Sequence, residues 1–187
     1  MEGRWTRRSG VLLVAWCLWT AAAAADELPD FQQWQRIDSR YCTIWVDRQL
    51  DVGQVNRKVS IWGIRPQTSI AAFTSPNEQL AAKCDTLFRR VEELLGMYPP
   101  GVHVTIAIAR RHEQIRATHA ARYGFGTDAV AFYVFEINAI YAAARELSSS
   151  VLAHEMAHCV IDQYFGIRSP RQVEEILPMY VDAHLQD

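Results

Sequence analysis

The sequence predicts an α+β fold in which a small mixed sheet is backed by helices. Two segments, residues 41–47 and 102–109, alternate β-branched or aromatic residues with other residue types, which is typical of strands. Between them, apolar residues recur every three or four positions from Leu80 to Leu95, which is the spacing of an amphipathic helix. A chain that runs from strand to long helix to strand predicts a sheet packed against a layer of helices.

The first residues differ in composition from the rest of the 187-residue chain. Three arginines precede an apolar run at residues 11–19 and five alanines at residues 21–25, which is the pattern of a cleavable secretory signal peptide. The apolar stretch from 10 to 25 has 16 residues, whereas a helix that spans a membrane needs about 20. A signal peptide at residues 1–25 is therefore favoured over an uncleaved membrane anchor. We expect a secreted or periplasmic protein with no stable membrane insertion after cleavage.

The charge of the remaining chain excludes one class of partner. Without residues 1–25, the chain keeps 16 basic and 20 acidic residues, which is a net charge of −4 with neutral histidines. Proteins that bind nucleic acid carry a basic patch or stripe, and this composition has none. We therefore expect no nucleic-acid partner.

Cysteine usage agrees with export but leaves the pairing open. Beyond the predicted signal peptide the chain keeps Cys42, Cys84 and Cys159, an odd number that allows one bridge and one free thiol. We favour a bridge between Cys42 and Cys84, because Cys159 lies within a segment that carries another chemistry. The alternative is three reduced thiols buried in the core.

The first half of the chain contains a strand and a long helix. Residues 26–40 are polar with no clear period, and we expect an exposed lead-in before a single domain at 41–187. After the strand at 41–47, the polar stretch 49–60 predicts a loop or a short helix. Ser75, followed by Pro76 and Asn77, marks the start of the long helix, which ends near a glycine at position 96.

The second half continues with further β-rich segments. After the strand at 102–109, the charged residues 110–121 predict a helix, and the glycine-containing residues 123–128 predict a loop. Residues 131–143 are rich in β-branched and aromatic types, so they form either one long strand or a tight hairpin.

A helix near the C-terminus carries the residues that point to chemistry. Any of the three serines Ser148–Ser150 fits the cap of a helix that runs to Gly166. Within it, HEMAH is an HExxH motif. His154 and His158 are four residues apart, so they project from one helix face and both reach a single zinc ion. Glu155 lies to the side of the pair, where a carboxylate acts as a general base rather than as a ligand.

The neighbours of this motif are uncharged, as a helix buried on its remaining faces requires. The alternative is a surface helix whose two histidines and Glu155 are solvated. The uncharged neighbours favour the first interpretation, because three clustered polar groups fit poorly on a solvated face that is otherwise apolar. Cys159 lies about 100° around the helix from His158, so we expect a buried small apolar residue there rather than a metal ligand.

A third protein ligand is needed to complete a zinc site. Downstream, Ser169, Pro170 and Gln172 form a helix start signal with a cap, a proline at the first helical position and a capping box. This second helix carries Glu174 and Glu175, which point about 100° apart, so only one faces the metal. The apolar side of the helix lies slightly nearer to Glu174, and the spacing leaves the choice open.

The two motifs together resemble the gluzincin metallopeptidases, in particular the small peptidase MA-like domains. In that family the HExxH helix is followed by a helix similar to EGLAxY, whose glutamate is the third zinc ligand, and here HEMAH is followed by EILPMYVD. The resemblance implies a zincin-like fold with residues 41–187 as a minimal gluzincin-like peptidase domain. It implies one Zn²⁺ ion bound by His154, His158 and Glu175, with Glu155 as the catalytic base.

The resemblance also carries implications for the cleft. It implies a substrate-binding edge strand just before the metal helix, at residues 138–143, along which a peptide pairs antiparallel. The chain departs from the family at Ile176 and Pro178, where small residues are usual, and a proline inside a helix frees a carbonyl and bends the helix. Larger gluzincins take an oxyanion-stabilising tyrosine or histidine from downstream segments. Only Tyr180 and His184 offer these groups here, and we expect both to be core or surface residues.

Two functions follow as hypotheses. The leading one is an exported zinc metallopeptidase that hydrolyses a peptide or protein substrate, with Glu155 as general base. The alternative is a non-catalytic, zinc-stabilised exported domain that binds a peptide or protein partner. The intact glutamate favours catalysis, because a purely structural zinc site has no use for it and usually closes with four protein ligands.

Overall fold

The computed structural model describes residues 33–61, 63–64, 69, 73–168, 170 and 174–187. Within these residues the chain forms a five-stranded sheet and five α-helices, so the α+β fold is confirmed. In chain order the elements are β1 (Trp34–Asp38), β2 (Cys42–Asp47), α1 (Val52–Lys58), α2 (Pro76–Leu95), β3 (Val104–Ala109), α3 (His112–Tyr123), β4 (Ala131–Val134), β5 (Ala139–Ala143), α4 (Ser149–Phe165) and α5 (Ile176–His184).

The sheet is mixed, with the strand order β1-β2-β3-β5-β4. The three central strands β2, β3 and β5 are parallel to one another, and the two outer strands β1 and β4 pair antiparallel with their neighbours. Parallel neighbours need a crossover, and α2 supplies the one between β2 and β3. Among the described strands, β1 and β4 therefore form the two edges of the sheet, and α4 contacts β4.

One face of the sheet carries the main core. Ile44, Ile106 and Ile140 lie side by side in register on the three central strands, and none of them has exposed surface. They belong to a cluster that includes Phe88 of α2 and Leu152 of α4, both fully buried. Burial of these large side chains fixes α4 against this face, which determines where the polar groups of α4 point.

The opposite face carries a smaller core under α3. Ala107 and Tyr141, which alternate with the residues of the main core, pack with Ile115 of α3 and with Trp34 of β1. Phe132 of β4 packs against this second cluster and is itself half-buried. The sheet is thus covered on both faces, and α3 lies on the side away from α4.

The long helix α2 begins and ends where its sequence signals predict. The Ser75 hydroxyl accepts a hydrogen bond from the backbone of Asn77 at 3.2 Å, and the Glu78 carboxylate accepts one from the backbone of Ser75 at 3.4 Å. This capping box satisfies two backbone donors that the first turn leaves free. At the other end Gly96 takes a left-handed conformation with φ 63°, which glycine adopts without steric cost.

Several other sequence predictions are confirmed. The predicted strands at 41–47 and 102–109 are β2 and β3, and the predicted helix at 110–121 is α3. The stretch 49–60, for which a loop or a short helix was open, contains the seven-residue helix α1.

The predicted exposed lead-in at 26–40 is wrong for its last part. Residues 34–38 form β1, which pairs with β2, and both Trp34 and Ile37 are buried. The two buried side chains are three positions apart rather than two, so the strand lacks the alternation that would have indicated it. The folded domain therefore begins before residue 41.

Residues 131–143 form a hairpin, which was one of the two alternatives that the sequence left open. The hairpin also changes which strand lies at the edge of the sheet. β4 and β5 pair antiparallel and are joined by a short 3₁₀ turn at Phe135–Ile137, followed by Asn138 with φ 48°. The resemblance implied that residues 138–143 are the edge strand, and this is wrong. β5 is bonded to β3 on one side and to β4 on the other, so β4 rather than β5 lies at this edge of the described sheet.

The second C-terminal helix begins later than its start signal indicates. Pro170 lies outside a helix, so its assignment to the first helical position is wrong, while Ser169 and Gln172 lie outside the described residues. α5 begins at Ile176, which makes Pro178 its third residue. Backbone N–H groups of a first turn have no partner within the helix, so the proline there removes no helical hydrogen bond and the expected bend does not apply.

The predicted bridge between Cys42 and Cys84 is not formed. Cys42, Cys84 and Cys159 are free thiols with no exposed surface, so the alternative of three reduced core cysteines is the one that the structure has. Burial raises the pKa of both Cys84 and Cys159 to about 12. These thiols behave as small apolar residues of the core.

The predicted signal peptide at residues 1–25 lies outside the described residues. Among the helices that the structure describes, none combines the length and the apolar character that crossing a bilayer demands.

Candidate metal and catalytic site

A cleft of about 620 Å³ lies beside the edge strand β4. The cleft is bounded by the polar side of α4, by the turn just before α5, and by the C-terminal end of α3 with the loop that follows. The residues of the HEMAH motif, His154, Glu155 and His158, all line it, and so do both glutamates at positions 174 and 175.

The helix α4 places the two histidines on the cleft side. Its first turn is capped by Ser148, whose hydroxyl accepts a hydrogen bond from the backbone of Val151 at 3.2 Å. Its last residue is followed by Gly166 with φ 68°, which ends the helix as the sequence indicates. Because Leu152 and Met156 are fully buried on the opposite side, the histidines face the cleft.

Three possible ligand atoms converge in the cleft. His154, His158 and Glu175 each offer one atom, and these atoms lie within 4.8 Å of one another. Nε2 of His154 is 3.2 Å from Oε2 of Glu175, and Nε2 of His158 is 3.7 Å from Oε1 of the same carboxylate. Two imidazoles and one carboxylate form a donor set that suits zinc, so these residues could bind one metal ion.

Glu175, rather than Glu174, meets the two histidines. The Glu174 carboxylate instead lies 3.5 Å from the guanidinium of Arg168. Glu175 immediately precedes α5 and its side chain is 60% exposed, so the carboxylate is free to turn towards a metal ion.

Asp182 is a site residue that the sequence reasoning missed. Its Oδ2 atom accepts a hydrogen bond from Nδ1 of His154 at 2.8 Å, and its Oδ1 atom accepts one from the hydroxyl of Ser150 at 3.2 Å. The bond to Nδ1 leaves the other ring nitrogen of His154 directed at Glu175. A signal was available, because Asp182 follows Glu175 by seven residues, or about two helical turns, and so shares its side of the helix.

Glu155 is an almost fully buried acidic group in the cleft, next in sequence to His154. It is 8% exposed, and burial raises its pKa to about 7, with a further contribution from the negative charge of Glu175. The charge of His154 and a hydrogen bond from the backbone N–H of Tyr133 in β4 oppose this rise. A carboxyl with this pKa gains and loses a proton near neutral pH, as a general acid or base must.

The two histidines have opposite pKa shifts. Burial alone would lower the pKa of His154, but the hydrogen bond to Asp182 and the charges of nearby carboxylates raise it above its usual value. Burial lowers the pKa of His158, and the neighbouring His154 adds to the effect. His158 is therefore the more readily neutral imidazole, which is the form that binds a metal.

Cys159 faces a different environment from the histidines. Its thiol donates to the Oδ1 atom of Asn138 at 3.1 Å, and the hydroxyl of Tyr133 donates to the same oxygen at 2.9 Å. Among the described residues that meet the requirements for a metal cluster, Cys159 does not appear. Cys159 has no exposed surface, so its expected burial is confirmed, while its role as a small apolar residue rather than a ligand stays a prediction.

Tyr180 and His184 lie away from the cleft, as expected of surface residues. Their rings stack on each other with centroids 4.1 Å apart, and Nδ1 of His184 bonds to the carbonyl of Tyr180 at 2.8 Å. Neither is among the described residues that line the cleft. The tyrosine that matches the family motif thus contributes no group to this site.

Four rings form one wall of the cleft, and the sequence reasoning did not identify them. This aromatic wall consists of His119 and Tyr123 of α3, Phe125 of the following loop, and Phe132 of β4. The ring of His119 is at the centre, with the other three ring centroids 4.6 to 5.1 Å away.

No family model, no curated protein and no solved structure matches the chain. The gluzincin resemblance therefore stays a hypothesis that rests on the HEMAH and EILPMYVD segments, and the arrangement of side chains in the cleft is an independent observation.

Proposed function

We propose that the protein is an exported, zinc-dependent metallopeptidase of the gluzincin type, with a zincin-like fold, that hydrolyses peptide bonds in peptide or protein substrates. The observation that carries this proposal is the convergence of His154, His158 and Glu175 beside the buried carboxyl of Glu155. The two histidines and Glu155 come from one helix, whereas Glu175 is distant in sequence and needs the fold to reach them.

His154, His158 and Glu175 would hold the zinc ion. Zinc supplies Lewis acidity, which polarises a carbonyl group and lowers the pKa of a water molecule. Three protein ligands leave room for a water molecule or a substrate, whereas a structural zinc site is normally closed by four. The 60% exposure of the Glu175 side chain agrees with a site that is open to the cleft.

Glu155 would act as general base and then as general acid. Its carboxylate accepts a proton from the attacking water as the oxygen bonds to the scissile carbonyl carbon. The same proton then passes to the amine nitrogen when the C–N bond breaks, so Glu155 returns to its starting state. Burial and the hydrogen bond from Tyr133 hold the carboxyl in place for both transfers.

The free edge of β4 would bind the substrate backbone. Among the strands that the structure describes, β4 is bonded to β5 alone, and the Tyr133 N–H on its other side already reaches Glu155. A peptide that adds to this edge as a further strand would pass directly beside Glu155 and the histidines. The proposal therefore places the substrate-binding edge strand at residues 131–134, whereas the resemblance implied residues 138–143.

A second candidate, a zinc-stabilised domain that binds a peptide or protein partner without cutting it, is favoured by one observation. Tyr180 and His184, which could have stabilised an oxyanion, lie outside the cleft. The burial of Glu155 beside the ligands argues for catalysis, because a binding domain gains nothing from a carboxyl that costs free energy to ionise in this position.

The decisive test compares Glu155→Gln with the matched control Glu174→Gln. Both remove one carboxylate from the cleft, but only the first removes the proposed base. We expect both variants to bind one zinc ion per chain, and we expect Glu155→Gln alone to lose peptide hydrolysis by at least about a hundredfold. A Glu155→Gln variant that hydrolyses peptides at the rate of the unmodified protein would contradict the mechanism.

A further inference from the structure

We propose that the aromatic wall is a subsite that binds a large aromatic or apolar side chain of the substrate, next to the bond that is cleaved. The proposal rests on the proposed function, because it assigns a substrate preference to the same cleft. Its occupant is a peptide in extended conformation with one such side chain.

The exposure of the wall distinguishes it from a core cluster. Phe125 is 62% exposed although it contacts the His119 ring, and Tyr123 and His119 are only half-buried. Rings that serve the core are enclosed, as is Tyr141 with 3% exposure directly behind Phe132. Aromatic surface that is left open inside a concave site favours an apolar ligand.

The wall is held in position by the backbone as well as by the rings. α3 ends at Gly124, whose φ of 81° is left-handed and favours glycine, and this turns the chain so that Phe125 lies back against the helix. Nδ1 of His119 is 2.7 Å from the carbonyl oxygen of Phe125 and donates a hydrogen bond to it. Preorganisation of this kind lowers the entropy that binding would otherwise cost.

The alternation of side chains along β4 links the wall to the reacting bond. Phe132 packs on the α3 side of the sheet and Tyr133 packs on the α4 side, as neighbouring residues of a strand must. A substrate strand added to the edge of β4 follows the same alternation. If one of its residues points to the side of α4, the next residue along the chain points to the aromatic wall.

The two sides of the cleft differ in charge. The wall carries no carboxylate, whereas the rest of the cleft lining holds four carboxyl groups and one guanidinium, those of Glu155, Asp162, Glu174, Glu175 and Arg168. An aromatic or aliphatic side chain therefore avoids desolvating these acids when it binds the wall. The carboxyl groups outnumber the single arginine, Arg168, which already lies 3.5 Å from Glu174, so we expect an acidic side chain to be disfavoured in the cleft.

The test measures binding and cleavage separately. Two fluorescently labelled peptides of glycine and serine differ at one central position, which is phenylalanine in the first and alanine in the second. Their affinities are measured with zinc-loaded Glu155→Gln protein, in which the peptides stay intact, and their cleavage is measured with the unmodified protein. Phe125→Ala is compared with Phe165→Ala, since Phe165 is similarly exposed, at 55%, but lies outside the cleft.

We expect the phenylalanine peptide to bind at least about tenfold more tightly than the alanine peptide, which is the gain that burying one such ring provides. Phe125→Ala should reduce this ratio to less than about threefold, while Phe165→Ala should leave it unchanged. Equal affinity for the two peptides, or a preference that survives Phe125→Ala, would overturn the subsite. If the preference is found but the unmodified protein cuts neither peptide, the proposed catalysis fails and the subsite stands.

Discussion

Nδ1 of His154 lies 2.8 Å from Oδ2 of Asp182, so a carboxylate on α5 orients a histidine on α4. This hydrogen bond connects α4, which carries two of the proposed ligands, to α5, which begins directly after the third. It also leaves Nε2 of His154 directed at the Glu175 carboxylate, 3.2 Å away. Carboxylates in this position commonly set the orientation and basicity of a histidine that binds a metal.

Replacement of Asp182 by alanine should weaken zinc binding by about 10- to 100-fold without abolishing it, because the three ligands remain. The measurement is a competition titration with a chelating dye. Asp187→Ala, which removes a carboxylate beyond the end of α5, is the control and should leave the zinc affinity unchanged. Equal zinc affinity for Asp182→Ala and the unmodified protein would show that the bond does not support the site.

The stability of the metal-free protein should depend on the ionisation of Glu155. Its pKa rises from 4.5 to about 7 on folding, so the folded state binds more protons than the unfolded state between these pH values. Stability from this group is therefore present below pH 4.5 and is lost as the pH rises through 7. In Glu155→Gln the loss should be absent, which makes the variant more stable at pH 8, by up to about 3 kcal/mol.

Urea unfolding of both metal-free proteins at pH 5 and pH 8 tests this dependence. The difference in unfolding free energy between the variant and the unmodified protein should be larger at pH 8. A difference that is the same at both pH values would mean that Glu155 keeps an ordinary pKa in the folded protein.

The cysteines should be unreactive in the folded protein and fully reactive after unfolding. Burial raises the pKa of Cys84 and Cys159 to about 12 and that of Cys42 well above its usual value, so little thiolate forms at pH 8. We expect iodoacetamide to label none of the three in native buffer and all three in denaturant without a reductant. Mass spectrometry of the peptides distinguishes this result from a linked Cys42–Cys84 pair, which would restore the bridge that the sequence favoured.

The strength of local signals decided which parts of the fold could be predicted. β2 and β3 show clear alternation, α2 has a clear helical period and caps, and each is found where the sequence places it. β1 was not predicted, because its buried side chains, Trp34 and Ile37, are three positions apart and so do not alternate as in a typical strand. A short edge strand also depends on pairing with its neighbour, here β2, which a local pattern does not show. The start of α5 was predicted wrongly, because the local start signal at Pro170 does not begin the helix, which starts at Ile176.

Spacing alone could predict the candidate site only within a single helix, and the assignment of Glu175 came from the resemblance to gluzincins. Spacing alone places His154, Glu155 and His158 together, because four residues make about one helical turn. The choice between Glu174 and Glu175 depends on how α5 packs against α4, and the spacing of residues within one helix carries no information about that packing. The edge strand depends on the order of strands in the sheet, and the aromatic wall depends on the contact between α3, its loop and β4.

The metal content of the purified protein and of two variants tests the proposed zinc site most directly. Zinc per chain is measured by mass spectrometry for the unmodified protein, for Glu175→Ala and for the neighbouring control Glu174→Ala. We predict one zinc ion per chain in the unmodified protein and in Glu174→Ala, and a large loss of zinc in Glu175→Ala. Zinc that is lost in Glu174→Ala but kept in Glu175→Ala would contradict the ligand set, and an unmodified protein that binds no zinc would contradict the proposed function.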